Sequence, residues 1–551
     1  MVRNFIVTTI RYLLKHKLFS LINIGGLALG MAGCLIIFRY VSFESSFDQF
    51  HQHASEIYRV PFSAGPISLM DRHRIYASNV PAFGPIVQEE LPEVIAYARL
   101  LHVLTVKNTF AMAYQATGDQ VVSFYEDQGY YADASLLSMF SFPLVLGNPQ
   151  TALEEPNGLV VSKTLAEKYF GSDWQQEALG AQIAVDGWRP GTFTVTGVLQ
   201  DVPANSQLQI DFRLSYASLG QGGDTSSWVW SQIYTYVQLA PHTNPELVEA
   251  KLPALIDQHY TGGDHPEMFL QPLADIYLDS NLRYEAGATG SRLAVSFLTI
   301  IGLFILLIAW VNYINLTTVR SLERAQEVGI RKVMGAQQRS LILQFIVEAL
   351  LMNMVAFIVA VVAVYSLLSL ISDFLHWKLP EGTLYELLRS PVLGVSFIFP
   401  GLFLIGSVLS ALYPAMVLSA FSPVAGLKGK LSSSKGSVLR QGLATFQFAV
   451  SMILIMGTFI VYQQLRYMQQ KDLGMDISQV MVLKAGPSIT SAGQSQLKPS
   501  EYQSVSGLEV LTSQLQELAF VEEVSATSFI PGQEITRTRG LVRLDDPEVK
   551  G

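Results

Sequence analysis

Five apolar runs constrain this 551-residue chain more than any other feature: Leu18–Val41, Leu293–Val319, Leu341–Ile371, Val392–Leu418 and Gly442–Gln463. About 20 apolar residues in a helix cross the hydrocarbon core of a bilayer. Lipid offers no hydrogen-bond partners, so a spanning segment of this kind must satisfy its backbone within itself, as a helix does. Composition agrees: 50% of the residues are hydrophobic and only 15% are charged. Arg3, Arg11, Lys15 and Lys17 precede the first run, as in a secretion signal. That run continues to Phe38, however, beyond the roughly 7–15 residues of a signal's apolar region, and reads as an uncleaved anchor. The single cysteine, Cys34, lies inside it and excludes an intrachain disulfide.

Orientation follows from the short basic segments. The N-terminus, the stretch with Arg320, Arg324, Arg331, Lys332 and Arg339, and the stretch with Lys428, Lys430, Lys435 and Arg440 all fall on one side when the N-terminus is cytoplasmic. The segment between the third and fourth runs balances Lys378 and Arg389 against Asp373, Glu381 and Glu386, as the opposite side requires. Phe5, Ile6, Ile10, Leu13 and Leu14 recur at helical spacing among the N-terminal cations. They fit either an interfacial amphipathic helix or a basic extension of the first span.

The long segment 42–290 is then extracytoplasmic, and its Asp and Glu outnumber Lys and Arg by more than two to one. Thr192–Leu199 alternates as a strand does, and Gln182–Val185 precedes it as a hairpin partner across a loop longer than two residues. Ile233–Leu239 is a further strand, and Ser162–Phe170 reads as a helix with Ser162 as its cap. These signals predict a compact α+β domain. His51 with His53, and His259 with Asp264, His265 and Glu267, lack the spacing of a zinc motif, so no metal site is expected. Trp174, Trp188, Trp228 and Trp230 are expected in the core or at a domain interface.

The cytoplasmic segments are too short for a catalytic domain, and the sequence carries no G-x-x-x-x-G-K-[ST] phosphate loop. Glu348 and Arg39 lie near span ends, while Asn312 and Asn315 are uncharged, which argues against ion-coupled transport. Energy is therefore expected to enter from another protein.

The stretch Arg320–Ala336 (R-S-L-E-R-A-Q-E-V-G-I-R-K-V-M-G-A), followed by Gln344-Phe345 and Glu348-Ala349, resembles the E-[IV]-G-I-R-[KM]-x-x-G-A segment of FtsX/MacB-like ABC permeases. Ser410–Ala415 (S-A-L-Y-P-A) with Ser422-Pro423 and Leu427-Lys428 resembles the end of that family's fourth span. Thr196-Gly197-Val198, Asp201–Pro203, Asn205-Ser206 and Asp211-Phe212 resemble its extracytoplasmic core domain, and Phe47-Asp48 through Ile57–Val60 the approach to it. The resemblance implies that Ala325, Glu327, Val328, Gly329, Ile330, Arg331, Lys332, Gly335 and Ala336 couple the chain to an ATPase. Glu327 and Arg331 have the spacing of a helical ion pair. Val328, Ile330 and Val333 add apolar surface, and Gly329 and Gly335 allow close approach or a helix end. Tyr413 and Pro414 are candidates for a gate or kink.

The expected fold class is α-helical membrane protein with five spans, a large α+β extracytoplasmic domain and the start of a second. The expected divisions are 1–17 (basic cytoplasmic segment), spans 18–41, 293–319, 341–371, 392–418 and 442–463, external core domain 42–290, coupling segment 320–340, external loop 372–391, cytoplasmic loop 419–441 and partial second domain 464–551. Asp472–Asp476, a strand-like Val480–Leu483, and an echo of Gln88–Val94 in Gln516–Val524 suggest a tandem unit that stops unfinished at Gly551, as in a truncated product or fragment. The expected function is that of a permease subunit in the bacterial cytoplasmic (inner) membrane, multi-pass, not itself an enzyme and without a cofactor of its own. Its expected partners are a cytoplasmic ABC ATPase that binds ATP and Mg, a second permease unit as homodimer or pseudo-dimer, a periplasmic adaptor and the lipid membrane, with no nucleic acid. The alternative is a membrane-anchored sensor or scaffold signalling through the external domain; a receptor, however, would follow its second span with a signalling domain rather than a short basic segment.

Overall fold

The structure, a computed structural model, describes residues 7, 11, 15–63, 75–103, 110–115, 121–186, 190–222, 227–228, 230–260, 266–280, 282–375, 393–420, 434–471, 480–483 and 511–525. It separates into a helical unit, built from the chain up to Ser46 and from Ser291 to Gln479, and a second unit containing Phe47–Gly290.

The helical unit contains α1 (Lys17–Glu44), α2 (Arg292–Val333), α3 (Gln338–Leu375), α4 (Leu393–Ala420) and α5 (Ser434–Gln470). Among the described residues four stretches are long and apolar enough to cross a membrane: Lys17–Glu44, Arg292–Val319, Gln338–Leu367 and Gln441–Gln470. Within α4 the described apolar piece Gly401–Met416 is shorter, so four of the five expected spans meet that length and composition among the described residues. Several helices outrun their apolar runs. In particular, α2 continues without interruption to Val333, so most of the segment expected as a cytoplasmic loop is helix. No proline falls between Arg320 and Val333 to stop it.

Lipid is as apolar as the side chains it meets, so spanning helices associate through close packing, which small residues permit. A Cβ placed on Gly30 of α1 would lie 2.5 Å from Ala309 Cβ of α2. Farther along, Gly26 lies against Asn312 and Gly302 against Ile37, which fixes an antiparallel register. Leu27, Met31, Cys34, Leu306, Ala309, Tyr313, Ala356 and Ala411 share one buried cluster. On α4, the Trp310 ring of α2 occupies the space a Gly406 side chain would need, with Cη2 only 1.8 Å from an ideal Cβ.

The second unit is an α+β domain. Its strands are β1 (Ile57–Arg59), β2 (Phe62–Ser63), β3 (Ile75–Tyr76), β4 (Val94–His102), β5 (Ala111–Gln115), β6 (Val121–Tyr125), β7 (Gly129–Ala132), β8 (Leu144–Gly147), β9 (Gly158–Ser162), β10 (Gln182–Asp186), β11 (Gly191–Leu199), β12 (Phe212–Ser215), β13 (Tyr234–Leu239), β14 (Glu267–Met268) and β15 (Gln271–Pro272). Among the described residues, the main sheet runs β15-β1-β13-β4-β7-β12-β9-β11-β10-β5-β6, with β8 also on β11; β14-β2-β3 form a small second sheet. The expected hairpin is present as antiparallel β10 and β11, with Ile183 opposite Phe193. Every residue of β13 is buried, as a strand covered on both faces requires. Ser162 caps the helix Lys163–Phe170 by accepting from the Leu165 amide, and Gly171 ends it at φ +69°.

The helix Phe83–Glu90 leads toward β4, as expected for Gln88–Val94. Its echo differs. Residues 511–516 are helical, but neither 521–525 nor Val480–Leu483 pairs with a strand among the described residues. A strand needs a ladder partner for its backbone groups, and alternation of side chains alone does not supply one. Asp472–Asp476 lies outside the described residues.

Where the chain enters the domain, Asp48 adopts φ +55° and buries its carboxylate, which accepts from Ser206 Oγ at 2.6 Å. His51, also buried, sits 3.9 Å from Asp48 and edge-on to Phe140 and Phe142. Burial pushes the Asp48 carboxyl up to about 6 and the His51 imidazole down to about 4. The Asp48 contribution is fully present below its ordinary 3.8 and is lost as pH rises through about 6. The His51 contribution is fully present above 6.5 and is lost as pH falls through about 4. The two slopes oppose each other over nearly the same window.

Two predictions follow from this architecture. Gly406→Leu lowers bundle stability by about 1–3 kcal/mol, because the Trp310 ring must move; Trp310→Ala in the same chain recovers part of the loss. A thiol-reactive dye reporting exposure of buried Cys34 during a thermal ramp in detergent reads both variants. Asp48→Asn leaves His51 unopposed, so its thermal midpoint, measured against wild type, falls progressively from pH 6 toward 4. An unchanged difference across that range contradicts the assignment.

Candidate functional site

The site expected around Arg320–Arg339 is the end of α2 and its turn into α3. The helix stops because Met334 and the residues after it form a Schellman cap: the Ala336 amide donates to Arg331 O at 3.0 Å and the Gly335 amide to Lys332 O at 3.0 Å. Gly335 supplies the required positive φ, +95°. Gln337 O then accepts from the Ser340 and Leu341 amides as α3 begins. Gly335 is thus the helix end, whereas Gly329 is buried within α2.

The side chains divide by direction. Val328, expected to provide apolar packing, is 4% exposed and packs inward. Ile330, Val333 and Met334 point out; Val333 is 68% and Met334 76% exposed. Position on the helix decides this split, since residues 330, 333 and 334 share one face. Arg331 and Lys332 are half-buried, as is Ala336 in the turn. Arg331 Nη1 donates to Gln344 Oε1 on α3 at 2.9 Å, tying the two helices across the turn. The motif contains both residues, but the sequence did not reveal that they meet. Ala325 and Glu327 belong to α2, but their side chains, and with them the expected Glu327–Arg331 pair, lie outside the described residues.

One turn beyond Gln344, Glu348 is buried beside the core residue Ala349, although it was expected to reach the membrane interface. Pro414 is buried and Tyr413 half-buried within α4, which continues as one helix through Pro414. The missing Pro414 N–H removes the hydrogen bond to Ser410 O. The Ser410 hydroxyl meanwhile donates to Ser407 O at 3.0 Å.

The histidines considered for metal binding have other roles. His53 pairs with Glu56 at 3.0 Å, and His259 pairs with Glu90 and stacks with Trp228. Among the described residues no three His, Cys, Asp or Glu side chains gather as ligands. Asp264 and His265 lie outside them, and so does Trp188. Trp174 is core, and Trp228 and Trp230 pack against the cores of the domain.

The arrangement is that of a multi-pass permease with an α+β domain inserted after its first span. Residues 20–255 match the MacB-like periplasmic core domain and residues 299–427 the FtsX-like permease C-terminal region. The chain belongs to the FtsX/MacB-like ABC permease family. It is 26% identical over 240 residues to the pyoverdine export ATP-binding/permease protein PvdT of Pseudomonas syringae, covering 42% of this chain and 33% of that protein. It is 38% identical over 71 residues to the macrolide export ATP-binding/permease protein MacB of Brucella abortus, covering 13% of this chain and 11% of that one. The chain thus spans about a third of the first relative and about a tenth of the second. The periplasmic region of MacB from Actinobacillus actinomycetemcomitans aligns with 12% identity and a TM-score of 0.28, covering 39% of this chain and 89% of that one.

Gly335→Val removes the residue that tolerates positive φ and is expected to destabilise the turn by about 1–3 kcal/mol. Limited trypsin digestion in nanodiscs reads the effect as faster cleavage after Arg331 and Lys332, with Gly335→Asn intermediate.

Proposed function

We propose that this chain converts ATP hydrolysis by an ABC ATPase into movement of its extracytoplasmic domain, with the α2–α3 turn as the docking element. The observation that carries this reading is the outward face of Ile330, Val333 and Met334 at a capped helix end, beside Arg331 and Lys332. It lies within the stretch matching the FtsX-like permease region. A solvated turn gains nothing from three exposed apolar side chains; a cleft on a partner would desolvate them, as interface anchors are desolvated. The Arg331–Gln344 bond gives that tip a fixed relation to α3, so a push on the turn reaches both helices.

The sequence contains no phosphate loop, which supports ATP and Mg being bound by a partner ATPase. The basic segments support a cytoplasmic N-terminus in the inner membrane, with five spans and 42–290 outside. The chain then works as a homodimer or pseudo-dimer of permease units, with a periplasmic adaptor as a further partner. Export, extraction of a substrate from the outer leaflet, and mechanotransmission all use the same movement. The names of the relatives favour export of a small molecule. Tyr413 and Pro414 are the kink about which α4 bends during that movement.

Purification of the tagged chain from nanodiscs tests the proposal. The wild type should bring down a phosphate-loop ATPase. Ile330→Asp with Met334→Asp should reduce recovery at least about tenfold, equivalent to about 1.4 kcal/mol of docking energy. Arg331→Glu with Glu327→Lys should do the same, and all variants should insert normally. Undiminished ATPase recovery with both pairs rules out the docking assignment.

A further inference from the structure

Two motif segments that the docking site leaves unexplained, Phe47-Asp48 through Arg59 and Asn205-Ser206, meet in space. Arg59, at the end of β1, is fully buried. Its guanidinium makes two bonds to Glu285, Nη1 to Oε2 at 2.5 Å and Nη2 to Oε1 at 3.0 Å. Nη2 also donates to Gln271 Oε1 and Ser280 Oγ, both at 2.8 Å. Ser280 Oγ in turn donates to Glu285.

The network continues to the chain's first residues in the domain. Gln207 Nε2 donates to Glu285 Oε2 at 3.3 Å, and the Gln207 amide donates to Asp48 Oδ2 at 3.2 Å. Asp48 also accepts from Ser206 Oγ, and its own amide donates to Asn205 O at 2.9 Å. Next to it the Phe47 and Tyr277 rings stack with centroids 3.4 Å apart. Gly287 comes so near the Gln207 carbonyl that a Cβ there would lie 2.3 Å from its oxygen. Tyr130 Oη and Tyr234 Oη donate to the carbonyls of Ala286 and Tyr284.

The segment leading in from α1 and the segment leading out to α2 are therefore bonded to each other and to the 205–207 loop. Through β1, which pairs with β13 and β15, the same bonds reach the main sheet. A surface ion pair would contribute little. A buried, bidentate one whose two terminal guanidinium nitrogens are both engaged resists opening, because separating it leaves an uncompensated charge in the interior.

We propose that Arg59, Glu285 and Asp48 form a clasp that makes the lead-in, the 205–207 loop and the lead-out one mechanical joint, so that displacement of either flanking span is delivered to the sheet instead of being absorbed in the linkers. What moves the spans is taken from the permease reading; the clasp itself is defined by the domain alone. These are positioning residues. Arg59→Met with Glu285→Leu replaces the ion pair by apolar side chains and keeps the joint closed, whereas Glu285→Gln leaves the Arg59 cation buried without its counter-charge.

Hydrogen exchange by mass spectrometry on the full chain in nanodiscs tests the joint without any ATPase. Glu285→Gln and, separately, Ser206→Ala should raise exchange in 47–59, 205–208 and 280–290 together, by about tenfold or more, while β9 and β11 stay protected. The apolar pair should restore protection in all three. A rise confined to the segment carrying the substitution overturns the clasp, and so does failure of the apolar pair to restore protection.

The mechanical role has its own readout. With a dye on Asp173→Cys and acceptor dyes in the lipid, ATP added to the chain with its co-purified ATPase should change energy transfer for wild type and the apolar pair. For Glu285→Gln it should not, although ATP is still hydrolysed. An undiminished change in Glu285→Gln overturns the role in transmission. A wild type that binds an ATPase yet shows no ATP-driven change rejects the permease reading instead, and the clasp then stands or falls on the exchange result.

Discussion

Close contact between α1 and α2, in which glycines receive the side chains of the facing helix, is the constraint on which the helical unit depends. Where Gly30 meets Ala309, the two backbones approach more closely than any larger residue would allow. In lipid no hydrophobic gain drives helices together, so that proximity must come from van der Waals contact over a smooth surface. Once the register of Gly26 with Asn312, Gly30 with Ala309 and Ile37 with Gly302 is set, Trp310 is presented to Gly406, and α4 is located by the same device. The turn after α2 inherits its position from this packing, because α2 is one helix from Arg292 to Val333.

The continuity of α2 bears on the docking role proposed for its end. A flexible basic loop would yield to a push from a partner before passing it on. A helix end closed by a Schellman cap and tied to α3 by Arg331 and Gln344 does not yield in that way. The same principle recurs in the α+β domain, where the strands are held by ladder pairing but the two chain crossings are held by side chains. Arg59 and Glu285 there do for the linkers what Gly335 and the Arg331–Gln344 bond do for the turn: they remove slack between elements that are already rigid.

The helix end at the candidate site and several elements of the fold were legible in the sequence because they rest on local rules. Gly335 marked a helix end through its backbone freedom, and Ser162 marked a helix start through its hydroxyl. The β10–β11 hairpin followed from alternation and a turn. Val328, Ile330 and Val333 were read together as apolar surface, and the structure turns Val328 inward while Ile330 and Val333 face out, a division that apolar character alone does not give. Arg331 was read against its helical neighbour Glu327, whose side chain lies outside the described residues; Arg331 also meets Gln344 across the turn on the next helix, a contact helical spacing does not encode. Val480–Leu483 had the composition of a strand, but a strand is a relation between two segments.

By itself the sequence determined that this is a membrane chain with an inserted polar domain, since apolar run length and charge placement act within single segments. It also carried the family's motifs in order. Only the tertiary structure decided which motif residues touch. Asp48 and Ser206, or Arg59 and Glu285, are brought together by the order of strands in a sheet, and no local spacing encodes that order. The physical reason is the same in both units. Backbone preference and burial are short-range properties of a residue, whereas a buried ion pair or a glycine contact depends on the distance between elements far apart in the chain.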